Sequence, residues 1–346
     1  LMMEGKPLPQ GPRNVLRRSL DRAASRGYEL RTGVECEFFL LTPDGLSIGD
    51  SFDDQRKPCY DQQALVRRYD LITQICDAIA QLGWEPYQND HEDANGQFEI
   101  NWKYSEAMQT ADRQTFFKFL VRSMAEQHGM RATFMPKPFS RLTGNGCHVH
   151  LSLWDAKRGV NLFHDAKDEL GLSNMAYEFV GGVLNSAEAL SAIVTPTVNS
   201  YRRLHARGTS SGATWSPNTI SYAGNNRTHM IRIPDGGRFE MRLADGSANP
   251  YILAAALLEA GLDGIEHHRH PGPPRTTNAY HEHVPEGLRT LPDNLLDSLR
   301  ALEKDQILTA GLGEEFTRSY LKLKHNEWRD FSSYVTKWEL DNTLDC

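Results

Sequence analysis

Three short stretches of this chain alternate ionisable and apolar side chains with a period of two, and that alternation restricts the fold more than any other feature. They are Gly33-Val34-Glu35-Cys36-Glu37-Phe38, Cys147-His148-Val149-His150-Leu151-Ser152 and Arg238-Phe239-Glu240-Met241-Arg242-Leu243. In an extended strand, residues i and i+2 point to one face. Glu35 and Glu37 therefore share a face, as do His148, His150 and Ser152, and as do Arg238, Glu240 and Arg242. The intervening Cys36, Cys147, Val149, Leu151, Phe239, Met241 and Leu243 face a core. A solvated sheet surface also alternates, but with Lys, Thr and Ser rather than with paired Glu and His. Three such strands predict one shared ionisable surface.

The pooled side chains of that surface are Glu35, Glu37, Glu240 and His148, a set of hard oxygens with one or two imidazoles that suits Mg²⁺ or Mn²⁺. Catalytic zinc usually takes three protein ligands and fits less well. Carboxylates gathered in one pocket repel one another unless cations neutralise them, and two divalent ions would do so. Glu92 and Glu99, in Asp90-His91-Glu92-Asp93-Ala94-Asn95-Gly96-Gln97-Phe98-Glu99, are further candidates. Taken alone they read as surface residues.

From Arg202 to Asp245 the chain has seven arginines (Arg202, Arg203, Arg207, Arg227, Arg232, Arg238, Arg242), no lysine and three acids. Arginine without lysine points to planar, bidentate recognition of phosphate or carboxylate. Divalent-metal ligands beside an arginine cluster are the equipment of phosphoryl transfer. No GxxxxGK[ST] loop and no kinase-type glycine-rich loop occurs, so a nucleotide would be held by another fold.

The spacing predicts helices over 12–26, 61–82, 105–128 (capped by Ser105), 172–184, 250–267, 292–305 and 314–324. Strands are predicted over 30–41, 98–102, 132–135, 146–154 and 238–243. Without a repeated βαβ rhythm, this order indicates an α+β fold with helices packed on a mostly antiparallel sheet. There is no internal repeat and no clear interdomain linker. The net charge of −7 argues against a nucleic-acid binder. No apolar run approaches the roughly 18 residues of a membrane span, and the first residues lack the shape of a signal peptide. Five scattered cysteines fit reduced thiols. The expectation is a soluble, cytoplasmic protein.

Eight segments in order resemble the glutamine synthetase superfamily. They are Glu-Cys-Glu-Phe-Phe at 35–39, Gly-Gln-Phe-Glu at 96–99, Thr-Phe-Met-Pro-Lys-Pro at 133–138 and Gly-Cys-His-Val-His-Leu-Ser at 146–152. Asn-Ser-Tyr-Arg-Arg-Leu at 199–204, Asn-Arg-Thr-His-Met-Ile-Arg-Ile-Pro at 226–234, Phe-Glu-Met-Arg at 239–242 and Ala-Asn-Pro-Tyr at 248–251 complete them. The resemblance implies that the whole chain, 1–346, is the family's catalytic domain, a curved, mostly antiparallel half-barrel sheet flanked by helices. It also implies two bound Mg²⁺ or Mn²⁺ ions, one on Glu37, Glu92 and Glu99 and the other on Glu35, His148 and Glu240. ATP would meet His150, Ser152, Arg232 and Arg238, with Tyr104 near the adenine. Arg203 and Arg242 would grip glutamate, with Gly144 near its amino end, and Arg227 would stabilise the transferring phosphoryl group. Glutamate would attack the γ-phosphate of ATP, and an amine would then displace phosphate from γ-glutamyl phosphate. A carboxylate is a poor electrophile, and phosphorylation supplies the leaving group.

Three departures from the family pattern stand out. The family's site-closing glutamate, which helps deprotonate ammonium, has no counterpart in 204–213, where Thr209 takes about its place. An ammonium ion loses its anionic partner there, and an alkylamine gains room, so methylamine or a related primary amine is the expected acceptor, as in the γ-glutamylmethylamide synthetase branch. Thr143 replaces the asparagine that usually precedes the glycine of the glutamate loop. The family's small N-terminal β-grasp domain, which helps build hexameric rings stacked as dodecamers, is not seen in this chain.

Rival expectations are a polyamine or other amine ligase, plain glutamine synthetase, a non-catalytic relative that keeps the fold, and a metal-dependent hydrolase. The last would not need seven arginines. His267, His268, His270, His281 and His283 read as surface loop residues, and Cys36 as a core thiol.

Overall fold

A computed structural model describes residues 2–206, 208–280 and 287–346; Arg207, His281 and His283 lie outside the described residues. Strands β1 (Met2–Met3) and β2 (Lys6–Pro7) pair with each other, antiparallel. They are followed by β3 (Tyr28–Cys36), β4 (Phe38–Leu41), β5 (Pro86–His91), β6 (Gln97–Trp102) and β7 (Ser105–Glu106). Next come β8 (Arg131–Thr133), β9 (Cys147–Asp155), β10 (Tyr222–Ala223), β11 (Ile231–Arg232) and β12 (Phe239–Met241). One sheet has the order β10-β11-β12-β9-β3-β7 and another β5-β6-β4-β8. Every pairing in them is antiparallel except β10 with β11. Neither sheet closes into a barrel, and helices flank them. The fold is α+β, as expected.

The strand predicted over 30–41 divides at Glu37, and its halves enter different sheets. At that step the Glu37 amide donates to the Gly146 carbonyl at 3.3 Å, while the Gly146 amide donates to Glu37 Oε2 at 2.7 Å. A side chain has taken over a ladder bond, and the seam between the sheets is thereby placed at the site. The helix predicted over 61–82 is also two, Gln62–Arg67 and Tyr69–Gln81. Arg67 and Arg68 at the break bond to Asp50 (2.6 Å) and to the Gly49 carbonyl (2.9 Å). The helix expected from Ser105 starts at Ala107, with Glu106 at the N-cap and no side-chain cap; Ser105 and Glu106 pair with Thr32 and Arg31 instead.

The apolar faces read from the sequence are the core faces: Val34, Cys36, Cys147, Val149, Leu151, Phe239 and Met241 are all buried. Strand β3 packs against helix Ala107–Gln127 and helix Pro12–Ser25, and helix Pro250–Glu266 lies against both of those helices. Burying each large side chain stabilises the fold by roughly 1.5–3 kcal/mol. The helix Pro250–Glu266 starts with Asn249 accepting the amides of Tyr251 and Ile252, and Pro250 at its first position has no amide to satisfy. A Cβ on its Gly264 would lie 2.1 Å from the Glu178 carbonyl, so glycine is what lets helix Asn174–Asn185 approach so closely. This packed layer makes the sheet a rigid platform, with its ionisable side turned to the cleft.

Candidate active site

The ladder of β3 with β9 puts Glu35 opposite His148, and that of β12 with β9 puts Glu240 opposite His150. His148 Nδ1 lies 3.0 Å from Glu35, 3.5 Å from Glu240 and 3.9 Å from Glu37. His150 Nε2 lies 2.9 Å from the other oxygen of Glu35. Glu35, His150 and Glu240 present ligand atoms within 4.8 Å of one another, close enough for one metal ion to bridge them. Burial opposes ionisation of Glu35, but hydrogen bonds from His148 and His150 outweigh it and hold the carboxyl well below the usual range. Burial likewise opposes ionisation of Glu240, and the charges of Arg242 and His148 reverse the balance.

A second acid group, Asp90, Glu92 and Glu99, is set as closely, with ligand atoms within 4.8 Å of one another. It sits on β5, β6 and the turn between them, where Gly96 takes φ +71° and a Cβ would press on Ile48 at 3.1 Å. Among the described residues no cation pairs with these three acids. Burial, followed by the charge of Glu37, pushes Glu92 up to about 8. Burial and then the charge of Glu92 push Glu99 well above the carboxylate range. Glu37, expected with this group, lies between the two: its Oε2 accepts from Gln97 at 2.9 Å and from the Gly146 amide at 2.7 Å. A Cβ on Gly146 would fall 2.9–3.0 Å from Arg203, His148 Nε2 and Glu37, so no side chain fits where these groups converge.

The donor set fits divalent cations. The Nε2 of His148 is buried with no hydrogen-bond partner among the described residues, and carboxylates that ionise reluctantly beside one another are what a cation reverses.

Arginines form the facing wall. Arg232 donates to Glu240 Oε2 at 2.7 Å, and Arg242 donates to Glu240 Oε1 and to the Arg227 carbonyl at 3.1 Å. Arg203, fully buried, donates to the Leu243 and Arg242 carbonyls at 3.0 and 3.3 Å. Arg238 chelates Asp235 at 2.7 and 2.8 Å and reaches His150 Nδ1 at 2.8 Å. Arg227 is exposed at the rim. The cleft they enclose has a volume of about 470 Å³ and takes in Glu35, Glu37, Glu92, Glu99, His148 and Gly144. A Cβ on Gly144 would lie 2.2 Å from the Pro136 carbonyl, so only backbone can line the cleft there.

A second cavity of about 460 Å³ shares Glu35, Tyr87, His150 and Arg238 with the first. Tyr104 and Ser152 line it, together with Arg31, Trp102 and Trp154. The Arg31 guanidinium lies 4.0 Å above the Trp154 ring, and the Trp154 indole donates to Ser152 Oγ at 2.9 Å. A flat, apolar, partly cationic surface next to an acid cluster suits a purine with its phosphates directed at metal.

Among the described residues, Glu35, Glu37, Glu92, Glu99, Tyr104, Gly144, His148, His150, Ser152, Arg203, Arg227, Arg232, Arg238 and Arg242 line these two joined cavities, and Glu240 lies directly behind them, whereas the exposed Arg202 lines neither. Sequence reasoning missed Asp90, Asp93, Gln97, Asn101, Tyr87, Arg31, Trp154 and Trp215. Gln97, Glu99 and Asn101 alternate with buried Phe98, Ile100 and Trp102 on β6, the same period-two signal that located the other three strands. Asp93 and Trp215 sit on loops and leave no periodic trace.

Carboxylates that resist ionising together, opposed by guanidinium groups, serve a reaction that collects several negative charges at one point. The class is the ATP-dependent carbon–nitrogen ligases, which activate a carboxylate by phosphorylation. Residues 9–343 match the family described as "Glutamine synthetase, catalytic domain", and the chain belongs to that family. It is 55% identical over 345 residues to a glutamine synthetase of Rhizobium leguminosarum bv. phaseoli, covering 99% of this chain and 79% of that relative. It is 42% identical over 349 residues to a glutamate–methylamine ligase of Methyloversatilis universalis, covering 99% and 78%. Among solved structures, one described as a GmaS/ADP complex superposes with a TM-score of 0.96 at 58% identity, over 99% of this chain and 79% of the other. Among the described residues no helix is long and apolar enough to cross a membrane.

Proposed function

We propose that residues 1–346 form the catalytic unit of a ligase that joins the γ-carboxylate of glutamate to a primary alkylamine of the methylamine kind, by way of γ-glutamyl phosphate. The observation that carries the choice of amine is the stretch 204–213, which has no acid. Thr209, near the place of the family's glutamate, gives its hydroxyl to the Ala213 carbonyl and lies 3.1 Å from the Ser211 hydroxyl. The likeness to the GmaS structure supports the same reading. One observation favours ammonia instead: the Rhizobium relatives at 55% and 54% identity carry the name glutamine synthetase.

In this reading Glu37, Glu92 and Glu99 would hold one Mg²⁺ or Mn²⁺, and Glu35, His148 and Glu240 the other. When bound, the ions neutralise the carboxylate and phosphate charges that must come together. Arg203 and Arg242, already fixed by backbone carbonyls and Glu240, orient the glutamate carboxylate without reorganising, and the Gly144 backbone faces its amino end. Tyr104 and Ser152 hold the nucleotide in the second cavity, and His150, Arg232 and Arg238 meet its phosphates. Arg227, exposed at the rim of the cleft, spreads the charge of the moving phosphoryl group. The kept set of six ligand residues speaks against a non-catalytic relative, because clustered carboxylates are costly unless used. The family pattern further suggests a homo-oligomer of hexameric rings in the cytoplasm, which sedimentation velocity would test.

The test is initial-rate phosphate release from ATP with glutamate and either methylamine or ammonia at equal concentration. Methylamine is expected to be preferred; a strong preference for ammonia contradicts the proposal.

A further inference from the structure

Asp93 is a cleft carboxylate that neither acid group includes. It is 5% exposed, and its Oδ2 accepts the hydroxyls of Thr143 and Ser211. These are its only hydrogen bonds among the described residues, none reaches Oδ1, and none of their ion pairs includes it. Lys137, the lysine whose charge it feels, is committed to the Leu142 carbonyl. A buried carboxylate without a cation is costly to keep. Both residues that hold Asp93 lie at departures from the family pattern: Thr143 stands in the glutamate loop, and Ser211 in the stretch that lacks an acid.

Behind that stretch lies a further cavity of about 430 Å³, lined by Ala206, Gly208, Ala213 and Tyr280 and sharing Thr214 and Trp215 with the main cleft. Its small side chains leave room, and its aromatic rings suit an alkyl group next to positive charge. Trp215 holds φ at +51°, a conformation that costs a bulky residue energy and that the packing around it must sustain.

We propose that Asp93 is the anion that receives the ammonium end of the acceptor, and that the acceptor's carbon end points past Thr214 and Trp215 into this cavity. The acid absent from 204–213 is thus supplied from beneath, by the β5–β6 turn, and the acceptor class is a small primary alkylammonium. This rests on the alkylamine reading above and adds the residue that selects it.

The test uses the whole protein with saturating ATP and glutamate, and compares methylamine, a cation at neutral pH, with hydroxylamine, a nucleophile that is uncharged there. Asp93→Asn is expected to lower kcat/KM for methylamine relative to hydroxylamine by roughly 10- to 100-fold, the effect of losing a charge-assisted hydrogen bond. Asp93→Glu should recover most of that ratio. Equal losses with both nucleophiles, or no recovery with Glu, would overturn the assignment. Mn²⁺ titration of the same variants separates damage to neighbouring Glu92, and loss of Mn²⁺ binding in step with the methylamine effect also overturns it. Should Asp93→Asn not fold, Ala213→Leu serves: it should disfavour propylamine against methylamine by roughly tenfold, and an unchanged ratio removes the alkyl pocket. A wild-type protein that uses ammonia but not methylamine defeats the alkylamine reading itself, before any substitution is made.

Discussion

Glu35 and Glu240 sit among imidazoles and guanidinium groups, whereas Glu92 and Glu99, across the same cleft, sit among other acids. Both pairs are largely buried, so both pay for desolvation. The first pair recovers that cost within the protein, and its carboxyls are held below their usual range. The second pair does not, and its carboxyls stay protonated well above theirs. One half of the site is thus a preformed anion, complete as folded. The other half is a strained acid cluster that a divalent cation would relax, so occupancy of the two halves should answer differently to pH and to substitution.

The sharpest contrast is between Glu240→Gln and Glu99→Gln in the metal-free protein. Glu240→Gln leaves Arg232 and Arg242 without their buried counter-ion, and should destabilise the fold by roughly 3–5 kcal/mol in urea unfolding. Glu99→Gln removes a carboxyl that must take up a proton to be buried, and should stabilise the metal-free fold at neutral pH by roughly 1–2 kcal/mol while abolishing activity. Destabilisation by both would erase the distinction between the halves.

A pH series sharpens it. Folded Glu92 keeps its proton to about pH 8, against an ordinary value of 4.5. The metal-free fold therefore binds more protons than the unfolded chain across that window, and its Tm should fall as pH rises through it. Glu35 acts in the opposite sense, and stabilises above its ordinary value of 4.5 until acid protonates it. Adding Mn²⁺ should cancel the alkaline loss, with protons released on binding. A metal-free Tm that rises from pH 5 to pH 8 would contradict the assignment of Glu92.

The smallest effect concerns the second cavity. Arg31→Ala, which removes the cation stacked on Trp154, should raise the KM for ATP about 3- to 10-fold and leave Mn²⁺ binding unchanged. An equal effect on both would mean that the two cavities are not separable.

How much of this was legible in the sequence follows from what each element depends on. The strands bearing Glu35, His148 and Glu240 announced themselves, because a sheet with one wet and one dry face writes a period of two into the chain. Gln97-Phe98-Glu99-Ile100-Asn101-Trp102 carries the same signal, yet Glu99 alone gave no reason to leave the surface. The break at Glu37 was hidden, since the stretch 30–41 is apolar enough to run on and only the Gly146 amide, distant in sequence, ends the strand. The break at Arg68 was equally silent, because its causes, Gly49 and Asp50, lie about twenty residues upstream. Asp93 was unreadable for the same reason: its meaning comes from Thr143 and Ser211, which only folding brings to it.

The most direct test is a calorimetric Mn²⁺ titration of the wild-type protein beside Glu99→Gln. Two ions per chain for the first and one for the second, the survivor insensitive to pH near 8, is the outcome expected of one paired and one unpaired acid group. A single ion in the wild type, or the same count in both proteins, would show that these carboxylates do not form two metal sites.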